Sequence, residues 1–83
     1  MKILVIEDSV KMAEYLRKGL CEEGYVVDVA NSGIDGLHMA IEIDYDLLVL
    51  DGMLPGIDGF ELCRTLRRSS DVPIVMVTAR ADT

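Results

Sequence analysis

Three short apolar runs dominate this sequence: Ile3-Leu4-Val5-Ile6, Leu47-Leu48-Val49-Leu50 and Ile74-Val75-Met76-Val77. Each is unbroken, rich in branched side chains and bounded by polar or turn residues. A strand with one face in water alternates apolar with polar residues, whereas an unbroken run suits a strand covered on both faces, as in a parallel sheet. A fourth segment, Tyr25-Val26-Val27-Asp28-Val29-Ala30, carries an acid in its middle and reads as an edge strand.

Helical patterns fill the intervals. Ser9 to Glu23 places Ala13, Leu16 and Leu20 on one face, and Gly24 supplies a stop. Ser32 caps a second helix that carries Leu37, Ala40 and Ile41. Asp58, with Glu61 three residues later, resembles a capping box in which Asp replaces Ser or Thr. It opens a third helix through Phe60, Leu62, Cys63 and Leu66, ending near Ser69-Ser70. Pro73 lies at the start of the last strand, Val72 to Val77, where its missing N–H does least harm. The order β-α-β-α-β-α-β predicts an α/β domain, with a parallel sheet, right-handed crossovers and helices on both faces. At 83 residues it is one small domain with one core.

Charge and composition narrow the function classes. With 8 basic and 15 acidic residues the net charge is -7. That argues against direct nucleic-acid binding, which needs a basic footprint, and is compatible with a cation or a basic partner surface. Apolar residues make up 51% of the chain, which excludes a disordered tail. No apolar run approaches the roughly 18–20 residues of a membrane span, and the stretch after Met1 is too short for a signal peptide. The chain therefore reads as cytoplasmic, with no membrane partner. Cys21 and Cys63 lie far apart and outside any CxxC pair, so they read as reduced thiols and not as zinc ligands. His38 has no evident partner, Arg64, Arg67 and Arg68 read as a solvated helix face, and Met39, Met53 and Met76 read as packing residues. Gly52, Gly56 and Gly59 form no dinucleotide fingerprint, and there is no Walker loop.

The chemistry lies where the apolar runs stop. The first is followed by Glu7-Asp8, the second by Asp51 and the third by Thr78. In a parallel sheet these positions share the carboxyl edge, where α/β folds bind ligands. Carboxylates so close repel one another, which raises their pKa values unless a cation intervenes. Oxygen-only ligands favour a hard ion, and Mg2+ fits best because it accepts one or two carboxylates and keeps waters that a phosphate can replace. The turn Gly52-Met53-Leu54-Pro55-Gly56 offers a backbone carbonyl as a further ligand. Each residue alone has a plainer explanation: Asp51 as a turn former, Glu7-Asp8 as partners of a helix N-terminus. Their placement at the ends of three strands of one sheet favours the ligand reading.

The acid pair Glu7-Asp8, the segment Leu48-Val49-Leu50-Asp51-Gly52-Met53-Leu54-Pro55-Gly56-Ile57-Asp58-Gly59 and the segment Pro73-Ile74-Val75-Met76-Val77-Thr78-Ala79 together resemble the response-regulator receiver domain of two-component signalling, in its winged-helix transcriptional class. The resemblance covers the whole chain. It implies a flavodoxin-like sheet of order 2-1-3-4. It also implies that residues 1–83 are the N-terminal part of a receiver, without its fifth strand, its last two helices, its phosphate-contacting lysine or a DNA-binding effector domain. It implies that Asp51 is the phosphoacceptor for a sensor histidine kinase. Asp8, Asp51 and the carbonyl of Met53 would bind Mg2+, with Glu7 acting through water. Thr78 and the N–H of Ala79 would contact the phosphoryl group. Such a domain promotes its own phosphorylation and is not a turnover enzyme. Without the lysine, phosphorylation is expected to be slower by roughly two to three orders of magnitude.

Gly52 stands where the family more often has a bulkier residue, and among the residues after Thr78 only Arg80 is cationic, badly placed to replace the lysine. Two other readings compete with the signalling one. One is a receiver-like assembly fragment that forms a homodimer or swapped oligomer through the apolar edge Val72 to Val77. The other, a phosphatase of the haloacid-dehalogenase type, needs a second Asp two residues after the nucleophile, where Met53 stands.

Overall fold

The computed structural model of the chain describes residues 1–51 and 59–77, with residues 51, 59 and 60 described by backbone alone. The elements run β1 (Lys2–Ile6), α1 (Val10–Glu22), β2 (Val26–Ala30), α2 (Gly33–Glu42), β3 (Leu47–Asp51), α3 (Gly59–Leu66) and β4 (Ile74–Val77). All strand pairs are parallel and the sheet order is β2-β1-β3-β4, the flavodoxin-like order expected. Ile3, Leu4, Val5 and Ile6 are fully buried, as an unbroken apolar run in an inner strand should be.

The two faces of the sheet are filled unequally. Leu4, Ile6, Leu48 and Leu50 pack with Ala40 of α2 and with Leu62 and Leu66 of α3 in one cluster. Ile3 and Val5 point the other way, toward the side of α1, whose one fully buried residue is Ala13. That helix lies against β1 and β2. Leu47 and Val49 are consequently only half-buried, and Val75 and Val77 of β4 are exposed.

The helix limits follow from their caps. Ser9 caps α1 by accepting the Met12 N–H at 3.2 Å, and Ser32 caps α2 by accepting the Asp35 N–H at 3.1 Å. The first helix ends as expected at Gly24, whose φ of 93° lies in the left-handed region and whose N–H donates to the Cys21 carbonyl. Tyr25 is held by that helix end, its N–H donating to the Leu20 carbonyl, so β2 starts one residue later than the apolar pattern suggests. The proposed capping residue of α3, Asp58, lies outside the described residues.

Several expectations need correcting. β4 begins at Ile74 and not at Val72, because the Arg67 guanidinium takes the Val72 carbonyl at 2.7 Å and Pro73 has no N–H to offer a ladder. Pro73 still contributes its carbonyl, which accepts the Leu48 N–H at 2.9 Å. Ile41 is not a core residue of α2 but is exposed, and Met76 is exposed where packing was expected. Arg67 does more than solvate a helix face, whereas Arg64 fits that expectation, exposed and pairing with Glu61 one turn back.

The acid in the middle of β2 has a partner in the fold. Asp28 accepts a 2.6 Å hydrogen bond from the Tyr45 hydroxyl, which lets that tyrosine sit buried in the cluster. Burial first, and then the bond to Asp28 and its charge, raise the Tyr45 phenol above its ordinary range. At the same end of the sheet the Lys2 N–H donates to Asp46 Oδ2 at 2.8 Å, and the Lys2 carbonyl accepts the Asp46 N–H at 2.8 Å. These contacts pin the start of β3 to the start of β1. Among the described residues no helix is long and apolar enough to cross a membrane.

α2 lies tight against β1 at Gly36. A Cβ there would lie 2.6–2.8 Å from three side-chain carbons of Ile6, which is fully buried and cannot swing away. Alanine improves helix propensity by about 1 kcal/mol, whereas overpacking a core costs about 1–3 kcal/mol. The clash therefore outweighs the propensity. Gly36→Ala is expected to lower the urea-unfolding free energy by about 1 kcal/mol, with part of the loss recovered in combination with Ile6→Val. A neutral or stabilising Gly36→Ala would mean that α2 stands further from the sheet.

Candidate functional site at the carboxyl edge of the sheet

The central pairing sets the site. β1 and β3 run in register with Ile6 beside Leu50, so the residues that follow, Glu7 and Asp51, come one step further along at the same end of the sheet. Asp51 in turn pairs with Val77 of β4. The ends of β1, β3 and β4 thus meet at one edge, as the sequence predicts.

Glu7 is the buried charged residue among those described, 8% exposed. Contacts with other described residues help to hold it. Its N–H donates to the Ala30 carbonyl at 3.0 Å, extending the β1–β2 ladder one step past Ile6. Its Oε2 accepts the Ser9 N–H at 3.2 Å. Its carbonyl accepts a 3.1 Å hydrogen bond from the Asn31 side-chain amide. Asp8, next in the chain, is exposed. The pair is therefore split in role by burial, one carboxylate inside the edge and one at its mouth. The N-terminus of α1 begins two residues on, and its free N–H groups favour negative charge here.

The backbone of Asp51 is in place at the end of β3. Met53, Thr78 and Ala79 lie outside the described residues. Asn31 was not singled out by the sequence reading, because an Asn after an edge strand looks the same as any turn former.

Past the acid pair, α1 carries Val10 at 70%, Met12 at 46% and Tyr15 at 74% exposure. These are large apolar groups on the helix that leaves the acidic edge. Cys21 is exposed on α1 and Cys63 is half-buried on α3, across the sheet, and both are free thiols. Burial pushes the Cys63 thiol up, against the charge of Arg67. His38 is exposed on α2.

Residues 3–83 match the family described as the response regulator receiver domain. The transcriptional regulatory protein HprR of Escherichia coli (strain K12) is 48% identical over 80 residues, which is 96% of this chain and 36% of that protein. The transcriptional regulatory protein CusR of the same organism is 49% identical over 80 residues, 95% of this chain and 35% of that protein. The chain thus spans about a third of the length of these curated relatives. Among solved structures, the response regulator TrrA of Thermotoga maritima, in complex with Mg(2+)-BeF, superposes with a TM-score of 0.92 at 37% identity, over 96% of this chain and 70% of that one. TrrA bound to the histidine kinase ThkA gives a TM-score of 0.89 at 36% identity, over 98% of this chain and 71% of that one.

Proposed function

This chain belongs to the response regulator receiver family, and on that premise we propose that Asp51 accepts a phosphoryl group from a sensor histidine kinase, in a protein that controls transcription through a DNA-binding domain beyond these 83 residues. Receivers are regulatory switches and not turnover enzymes. The observation that carries the reading is the register of β1 on β3, which brings the acid pair and Asp51 to one end of the sheet. TrrA supports it twice, as a relative bound to Mg(2+)-BeF and as a relative bound to a histidine kinase.

The donor set suits magnesium. All the candidate ligands are oxygen atoms, and the exposed carboxylate of Asp8 beside the buried one of Glu7 gives a hard cation a place at the mouth of the edge. Asp8, Asp51 and the Met53 carbonyl would hold Mg2+, with Glu7 acting through water because one of its oxygens already accepts the Ser9 N–H. The bound ion supplies positive charge that offsets the carboxylates and the incoming phosphoryl oxygens. An oxygen of Asp51 bonds to phosphorus as the P–N bond of the kinase phosphohistidine breaks, and the imidazole leaves with the electron pair. Thr78 and the Ala79 N–H are assigned as donors to the phosphoryl oxygens. Such a transfer depends on positioning and charge neutralisation more than on covalent chemistry by the protein. The exposed apolar groups of α1 beside this edge give a kinase a surface to rest on while its histidine reaches Asp51.

Acyl phosphate and Mg2+ added to the full-length protein are expected to label Asp51, as located by mass mapping after borohydride trapping. The Asp51→Asn variant should lose the label. Efficient labelling that persists in that variant would place the acceptor elsewhere.

A second reading is favoured by β4, the outer strand among the described residues. Val75, Met76 and Val77 are 48%, 37% and 40% exposed, on a strand with one edge unpaired. An apolar edge of this kind invites strand addition by a second copy. Sedimentation of the 83-residue chain over a range of concentrations should then show dimers or larger species, and Val75→Lys should shift them toward monomer. A folded monomer at all concentrations would remove this reading and leave the phosphoacceptor reading untouched.

A further inference from the structure

The acid pair is carried by a short connection, residues 7–9, between β1 and α1. Two elements anchor it. On one side Ser9 caps α1 and donates its N–H to Glu7. On the other, the Glu7 N–H makes the last β1–β2 backbone rung, to Ala30. β2 stops at Ala30, so no further strand N–H is available for the Glu7 carbonyl. The Asn31 side chain supplies it, at 3.1 Å. Because a carbonyl only accepts, the donor must be the amide NH2 of the asparagine and not its oxygen.

Resting on the receiver reading above, we propose that Asn31 is a positioning residue for the magnesium site. Its amide stands in for the missing rung of the β1–β2 ladder and fixes the backbone of Glu7, and through it the direction of the Asp8 carboxylate. The hydrogen bond of Asn31 runs to the Glu7 backbone and not to its carboxylate. It acts on the peptide between two acids whose mutual repulsion, before a cation binds, drives the connection open. Partners that orient metal ligands contribute measurably to metal affinity.

The experiment compares wild type, Asn31→Ala, Asn31→Gln and, as a control for general destabilisation, Tyr45→Phe, which removes a buried hydrogen bond toward the other end of the sheet. Two readouts are taken. The first is amide hydrogen exchange at Glu7 and Ser9 in the metal-free chain. The second is the Mg2+ concentration for half-saturation, from titration of the backbone amide resonances of residues 7–9. Asn31→Ala is expected to speed exchange at Glu7 and Ser9 and to raise the half-saturating Mg2+ concentration roughly 3- to 10-fold. Asn31→Gln keeps an amide donor and should recover part of both effects. Tyr45→Phe should leave the half-saturation within about twofold of wild type. Equal half-saturation in Asn31→Ala and wild type overturns the proposal, as does an equal rise in Tyr45→Phe. If wild type itself takes up no Mg2+, the metal reading fails separately. Exchange then decides on Asn31: unchanged rates at Glu7 and Ser9 overturn its anchoring role, and faster rates uphold it.

Discussion

The parallel pairing of β1 between β2 and β3 is the constraint on which the rest of this structure depends. Its four central side chains, Ile3 to Ile6, are fully buried, so the strand cannot slip by one residue without exchanging its two faces. That fixed register decides where the chain leaves the sheet. Glu7 emerges beside Asp51 because Ile6 lies beside Leu50, and Glu7 reaches Ala30 because Ile6 lies beside it on the other side. An apolar strand thereby aims an acidic loop. The edge is a product of core packing, since burial of Ile3 to Ile6 fixes where the acid pair follows β1 beside the end of β3.

The two faces contribute differently. The face under α2 and α3 is a continuous cluster, closed by Leu62 and Leu66 and tightened at Gly36, where helix and strand almost touch. Rigidity there keeps β1 and β3 in place behind the acid pair. The other face is covered by α1 near β1 and β2 and thins toward β4. The exposed side of α1 lies beside the acidic edge, and β4 is the outer strand among the described residues.

Much of this is legible in the sequence because each signal has one physical cause. Unbroken branched runs mark strands buried on two faces, and Ser9 and Ser32 mark helix starts through side-chain oxygens that take free N–H groups. The misreadings come from tertiary contacts that no local pattern carries. Ile41 has the spacing of a core residue, yet α2 turns it to solvent. Val72 looks like strand until Arg67, five residues earlier, takes its carbonyl. Asp28 reads as the mark of an edge, which it is, but its reason is the hydroxyl of Tyr45, 17 residues away. At the site, the acid pair and the end of β3 follow from periodicity alone. Asn31 does not, because its role depends on where a neighbouring strand stops.

The central claim is that one strand register gathers Glu7, Asp8 and Asp51 into a single cation site. Titrating the isotopically labelled chain with Mg2+ and following every backbone amide tests it most directly. The account predicts saturable shifts concentrated at Glu7, Asp8 and Asp51, with the amides of Lys2 and Asp46 at the opposite end of the sheet unmoved, and loss of the response in Asp8→Asn. Shifts spread evenly over the exposed acids, or an unchanged response in Asp8→Asn, would contradict it.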